Sequence, residues 1–190
     1  MPHAVSRALE SESLPVCGVP DMVGTHSGVS SAEFRGVLSK LVTPVSVIAT
    51  DGPGGAAGLT CSAVCAVSDQ PPMLLVCVHG KSAANAVIKA NGVLCVNCLQ
   101  VGQTDLSQAF AGIGGVPMHG RFAMADWGVL ATGAPHCKSA LVAFDCKVAD
   151  MRDMGTHTIF IAQVMATAES SEAADPLIYQ KRTYGTVCPL

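Results

Sequence analysis

The chain has 190 residues, enough for one domain that buries roughly 70% of the surface its unfolded form exposes. Eleven Lys plus Arg against 14 Asp plus Glu give a formal net charge of −3 and no basic stripe for a phosphate backbone, so nucleic acid is excluded as an expected partner. With 49% hydrophobic and 13% charged residues there is little charge to cover a monomer's surface, and a homodimer with an apolar interface is expected.

Residues 1–30 mix Ser, Pro, Gly and His without periodicity and read as a flexible arm, leaving residues 31–190 as the domain. Arg7, Glu10 and Glu12 interrupt any apolar run there, so no secretory leader is expected, and the nine cysteines are read as reduced thiols of a cytoplasmic protein. Apolar runs such as residues 73–78 fall far short of the about 20 residues that span a bilayer, so no membrane association is expected. Ser30-Ser31-Ala32-Glu33 fits a capping box, Phe34, Val37, Leu38 and Leu41 follow at helical spacing, and Pro44 ends the helix. Val45, Val47 and Ile48 predict a strand, Asp51-Gly52-Pro53-Gly54-Gly55 a turn, and residues 59–67 a second strand. Thr60 and Ser62 lie two apart, so in extended chain both hydroxyls face one side and can converge on an anion.

Pro71-Pro72 breaks the chain before a short buried strand over 73–78, and Ser82 then caps a helix that Asn91-Gly92 stops. Residues 93–99 form a strand, Thr104 and Asp105 open a helix closed by Gly112, and 112–117 is loop. Long strands follow at 140–148 and 158–168, then an acidic turn and Leu177-Ile178-Tyr179. Strands outnumber the scattered helices and no steady βαβ alternation appears, so the fold class is mainly β with a few helices, an antiparallel barrel.

Gly52, Gly54 and Ala57 match G-x-G-x-x-A after a strand, the dinucleotide-binding spacing. A hairpin turn is preferred, because no helix opens at the glycines and no acidic residue stands at the required distance. Cys95-Val96-Asn97-Cys98 puts its thiols on opposite strand faces, and Cys61 and Cys65, on one face, stand about 13 Å apart by strand rise. Neither pair suits a metal, and buried apolar packing is preferred for both. A metal hydrolase using His119, His136, Cys137 and His157 has no recognised ligand spacing behind it. Lys81 and Ser82 at a helix start suit an anion, whereas Arg182 with Tyr184 reads, without its neighbours, as a surface pair closing the last strand.

Taken together, the segments FRGVLSKLVTPVSVIATDGPGGAAGLTCSAVCAVSDQPPMLLVCV, GVLCVNCL, LSQAFAG, RF, ALVAFDCKV, GTHTIFIAQV and DPLIYQKRTY resemble the split-barrel flavin reductases, the reductase components of two-component flavin-dependent monooxygenases. The similarity runs over residues 34–184 and extends to the 4-hydroxyphenylacetate hydroxylase, pyrimidine-utilisation and corrin reductases, which share the pattern. It implies a homodimer of six-stranded antiparallel split β-barrels of the FMN-binding type, with FMN or FAD near the subunit interface and NADH or NADPH as hydride donor. By motif, Val45 and Ser46 approach the isoalloxazine; Thr60, Cys61, Ser62 and Ala63 hold the ring and ribityl phosphate; and Lys81, Ser82 and Asn85 add phosphate contacts. His157 matches the family histidine near the nicotinamide, and Arg182 and Tyr184 match a terminal R-x-Y that closes the site. Pro44 in place of glycine, His79 in place of asparagine and Gly185 in place of histidine depart from the pattern.

The implied reaction is hydride transfer between two cofactors, which asks the protein for alignment and exclusion of water and not for a nucleophile. Reduced flavin then passes to a partner monooxygenase, or stays bound and reduces a second acceptor as in the corrin type. The alternative of a different class is a non-catalytic flavin- or haem-binding split barrel.

Overall fold

The computed structural model describes residues 28–171 and 174–188, so the arm expected over 1–30 lies, apart from residues 28–30, outside the described residues. Helix α1 (Ser31–Leu38) opens on the predicted capping box: Ser30 Oγ accepts the Glu33 N–H at 3.2 Å and the Glu33 carboxylate accepts the Ser30 N–H at 2.9 Å. Those bonds hold the Glu33 carboxyl below its usual range. The helix ends at Leu38, short of the expected stop at Pro44, and Phe34, Val37, Leu38 and, just beyond it, Leu41, read as one helical spacing, are 57%, 65%, 46% and 59% exposed. The helix lies on the rim of the domain with its apolar stripe uncovered.

The chain then forms β1 (Thr43–Pro44), β2 (Ser46–Thr50), β3 (Ala57–Cys61), β4 (Val64–Asp69) and β5 (Pro72–His79). Helix α2 (Ala83–Asn91), β6 (Val93–Cys98) and α3 (Thr104–Phe110) follow, and then a 3-10 turn over Ile113–Gly115 and α4 (Met118–Phe122). The last elements are β7 (Trp127–Val129), β8 (Pro135–Cys137), β9 (Val142–Met154), β10 (His157–Glu169), β11 (Ile178–Gln180) and β12 (Thr183–Gly185).

The main sheet runs β3-β2-β6-β9-β10-β5-β4 and is antiparallel throughout. Its two outermost members are consecutive in the chain, separated by Ser62-Ala63 alone. The strand expected over 59–67 is therefore two: at Ser62-Ala63 the chain leaves the β2 ladder and joins β5, where Ala63 O accepts the Cys77 N–H at 3.0 Å. Counting this bent stretch once turns the seven-membered order into a six-stranded split barrel.

Alternation along the strands sorts the core in two. Ile48, Leu74, Val76, Val78, Leu94, Val96 and Phe160 fill the barrel, with Ile88 of α2 packed among them. Val45, Val47, Leu106, Phe110 and Leu177 form a second core on the outer face of β2. Met118 and Phe122 of α4 and Trp127 of β7, which lie beyond the loop expected over 112–117, pack against that second core. Buried Asn97 joins β8 to the barrel, donating to Val47 O at 3.2 Å and Pro135 O at 3.3 Å and accepting the Cys137 N–H at 2.8 Å. Buried Asp145 accepts the Thr132 N–H at 2.6 Å and the Thr132 hydroxyl, fixing the loop between β7 and β8.

The glycine segment is a hairpin turn between β2 and β3, as preferred, with Thr50 opposite Ala57. Asn91 of α2 holds it: Oδ1 accepts the Gly54 N–H at 2.7 Å, and Nδ2 donates to Gly55 O at 3.0 Å and Thr50 Oγ1 at 2.9 Å. The Gly54 N–H is thereby spent on the protein and not on a ligand. Cys95 and Cys98 face opposite sides as expected, Cys95 outward against Ala134 and Cys98 toward the barrel. Cys61 and Cys65 do not share a face: Cys61 is buried and Cys65 exposed, because the bend between them interrupts the alternation.

Candidate functional site

The bend at Ser62-Ala63 opens the barrel wall onto a groove of three adjoining lobes. The first, about 360 Å³, lies at the start of α2 and contains Thr60, Ser82, Gly58, Phe110 and Arg121. The middle lobe, about 230 Å³, shares Thr60 and Ala111 with it and adds Val45, Ser62, Ser107 and Tyr184. The third, about 400 Å³, shares Ser62 and Tyr179 with the middle one and adds Ala63, Arg35 and Arg182.

The first lobe has the chemistry of an anion site. Ser82 is the N-cap of α2, yet its hydroxyl makes no capping bond, and it lines the cavity beside the positive end of the helix dipole. Arg121 donates its Nε–H to Val116 O at 2.8 Å, which orients the guanidinium and leaves its terminal nitrogens for a ligand. The sequence marked Arg121 only as part of the RF segment of the resemblance and gave it no role, because the five-residue helix that carries it is too short to show periodicity.

The middle lobe is cross-braced. Thr60 Oγ1 donates to Ser107 O at 2.5 Å, and the Ser107 and Tyr184 hydroxyls share a hydrogen bond of 2.9 Å. The Tyr184 ring meets that of Tyr179 edge-on with centroids 5.1 Å apart. Tyr184 thus ties the C-terminal hairpin to α3, and the Thr60 oxygen keeps its accepting capacity for a ligand hydroxyl.

Not every predicted residue reaches the groove. Val45 lines it, although its own N–H and C=O are spent on Leu177 O and the Leu99 N–H at 3.0 and 2.8 Å. Ser46 is 1% exposed and points into the barrel, its hydroxyl 3.5 Å from Cys98 Sγ, because its neighbours Val45 and Val47 take the outward positions on the strand. Cys61 is likewise turned inward, its thiol directed at Cys77 O. Asn85 sits on the buried face of α2 with Ala84 and Ile88; it donates to Val78 O at 3.2 Å and accepts the Thr158 hydroxyl at 3.4 Å, which takes its amide out of the groove. Lys81 is exposed next to Ser82 and outside the lobes.

His157, the predicted catalytic residue, lines none of the three lobes. It faces His79 across the β10–β5 ladder with ring centroids 5.0 Å apart, and its Nδ1 is 2.9 Å from the Thr156 hydroxyl. His79 Nδ1 accepts the Lys81 N–H at 3.0 Å, so the pair is coupled to the turn that leads into α2. Among the described residues no group of three or more His, Cys, Asp or Glu is placed to hold a metal ion. Nor is any described helix long and apolar enough to cross a membrane.

Burial pushes the Cys61 thiol up to about 11 and the Cys146 thiol up to about 12, with the Asp145 charge adding to the second. Both are therefore neutral at pH 7 and poor nucleophiles. The ordinary thiol value is 9.0, so the unfolded chain loses these protons first, and the stability they contribute is full below pH 9 and is lost as pH rises toward 11. Melting temperature should hold to about pH 8.5 and fall beyond it. A disulfide reagent should modify exposed Cys65 and Cys188 in the native protein, and Cys61 and Cys146 only on unfolding. Equal native labelling of Cys61 and Cys65 at pH 8 would contradict the buried placement.

A split barrel whose bent strand opens onto an uncapped helix start, an orienting arginine and a tyrosine-braced slot belongs to the class that binds an elongated, phosphate-terminated ring compound. Residues 38–187 match the flavin reductase like domain, and the chain belongs to that family. It is 47% identical over 156 residues to the FMN reductase (NADH) RutF 2 of Methylorubrum extorquens strain PA1, spanning 82% of this chain and 89% of that protein. A solved homolog of nitrilotriacetate monooxygenase component B from Mycobacterium thermoresistibile superposes with a TM-score of 0.76 at 31% identity, over 83% of this chain and 87% of its own. BorF, the flavin reductase component of a bacterial two-component tryptophan halogenase, does so with a TM-score of 0.76 at 26% identity, over 85% of this chain and 100% of its own.

Proposed function

We propose that this protein is an NADH-dependent flavin reductase that takes FMN as its flavin and releases it reduced to a partner monooxygenase, residues 31–190 forming the flavin-binding domain. The observation that carries the reading is the first lobe: the unbonded Ser82 hydroxyl, the start of α2 and the Arg121 guanidinium surround one cavity suited to a terminal phosphate. FMN as the flavin and NADH as the donor are supported by the name of the 47% identical relative, and delivery to an oxygenase by the two-component systems named for the structural neighbours.

When bound, flavin and nicotinamide supply the hydride transfer themselves, and the protein contributes alignment and exclusion of water. In this reading Ser82 and Arg121 hold the phosphate, Thr60 accepts from the ribityl chain, and Tyr184 and Val45 wall the slot. Ser62 and Ala63, at the bend, face the ring. His157, outside the slot with His79, orients the nicotinamide carboxamide from the rim. The exposed apolar side chains of α1, Phe34, Val37 and Leu38, with Leu41 just beyond it, support a homodimer, since such a set calls for a covering surface. Free thiols throughout the described cysteines suit a cytoplasmic location.

One matrix of two flavins against two nicotinamides tests the reading, with kcat/KM expected to be highest for FMN and NADH. Failure to oxidise NADH above the free-flavin background would end it. Gel filtration after reduction separates the two fates of the product: reduced FMN retained on the protein would exclude delivery by diffusion.

A further inference from the structure

We propose that Arg35 and Arg182 form a second anion site, at the far end of the groove from the flavin phosphate lobe, that takes the diphosphate of the nicotinamide dinucleotide. The inference rests on the reductase reading and adds to it the place where the donor's charge is held. Both arginines line the third lobe, about 400 Å³, together with Ser62, Ala63 and Tyr179.

Three hydrogen bonds fix their separation by tying the C-terminal hairpin to the chain around α1. Lys181 N–H donates to Ser39 O at 2.6 Å, Gln180 Nε2 to Lys40 O at 2.9 Å, and Thr43 Oγ1 to Tyr179 O at 3.3 Å. Neither guanidinium has an ion-pair or hydrogen-bond partner among the described residues, whose three ion pairs are Lys89–Asp153, Lys138–Asp126 and Arg152–Asp150. Two unneutralised cations held on one cavity repel each other until an anion lies between them. The guanidinium fork matches phosphate oxygens in particular.

Lys181 and Arg182 are the two central residues of the β11–β12 hairpin turn and have φ of +47° and +63°, the left-handed values such a turn requires and that glycine or asparagine adopts most easily. Here the turn directs the Arg182 side chain to the lobe. The Tyr179 ring lines the same lobe and suits the face of a base or ribose attached to the phosphates. The flavin has its own phosphate place by Ser82 and Arg121, with the whole middle lobe between the two ends. The second anion is therefore assigned to the other reactant.

Steady-state kinetics of Arg35→Gln and Arg182→Gly in the full chain test this. Each should raise the KM for NADH roughly tenfold, with a smaller change in kcat and an unchanged FMN Kd by fluorescence quenching. Arg182→Gly should melt at or above the wild-type temperature, because glycine accepts the positive φ, which separates ligand binding from structural damage. Inorganic pyrophosphate should compete with NADH in the wild type and compete less in both variants. An unchanged KM for NADH, or a raised FMN Kd in its place, would overturn the assignment. Wild-type protein inactive with every flavin and nicotinamide would instead sink the reductase reading, and calorimetric titration of pyrophosphate would still decide the anion site.

Discussion

Arg121→Ala is expected to weaken FMN binding by roughly tenfold to a hundredfold while leaving riboflavin binding nearly unchanged, the range that follows from losing hydrogen bonds to a charged group. The asymmetry is the test, because riboflavin has the ring and ribityl chain but no phosphate. Arg121 lines the lobe and is held by its Nε bond to Val116 O, so its guanidinium needs less ordering when a ligand binds. Ser82→Ala should act in the same direction and more weakly, since a neutral hydroxyl is lost and the start of α2 stays in place. Fluorescence-quenching titration with both flavins reads the difference. Equal losses for FMN and riboflavin would place the phosphate elsewhere.

Gly58→Val is expected to cost about 3 kcal/mol of stability, the upper part of the range for overpacking a tight core, and to distort the phosphate lobe as well. A Cβ at Gly58 would lie 2.6 and 2.9 Å from ring carbons of Phe110 and 3.1 Å from Ile48 O. The Phe110 ring moves only at the expense of its packing. It is 2% exposed and packs edge-on to Phe122 with centroids 5.2 Å apart and tilted against Trp127 at 5.8 Å. Gly58 and Phe110 both line the lobe, so a displaced ring would also move the floor beneath the phosphate. The chain has one tryptophan, and its fluorescence reports this cluster during urea unfolding. A Gly58→Ala protein as stable as the wild type would show that the close approach is not rigid.

Much of the strand framework could be read from periodicity. The run at 45–48, the strand at 93–99 and the two long strands after residue 140 carry alternating or branched residues that suit few other structures, and the Ser30 box announced α1. The glycine segment was read correctly as a turn, because a dinucleotide fingerprint requires a helix at that point and the following residues are β-formers. What escaped was short or bent. The helix carrying Arg121 and the strands of β7 and β8 span five, three and three residues, too few to display a period. The break at Ser62-Ala63 has no glycine or proline to mark it.

The site residues divide the same way. Resemblance gave Thr60, Ser62, Ser82 and Tyr184, which the fold gathers along one groove, but also Ser46, Cys61 and Asn85, whose side chains the fold turns inward. A motif names neighbours in the chain, whereas a strand sends successive side chains to opposite faces and a helix buries only one of its own. The α1 stripe shows the converse: its spacing and its capping box announced a helix, and Phe34, Val37 and Leu38 nonetheless stand exposed, because periodicity marks a face without naming what packs on it.

By itself, the sequence determined a β-rich domain and its alternation of inward and outward residues, since hydrophobic period and turn chemistry are local and survive in one dimension, and the resemblance of its segments gave the family. Only the tertiary structure decided that one strand serves both ends of the sheet, that Arg121 reaches the start of α2, and that Arg35 and Arg182 share a cavity. Those are contacts between segments far apart in the chain, fixed by how the ladders register and the cores pack, and no local preference encodes them.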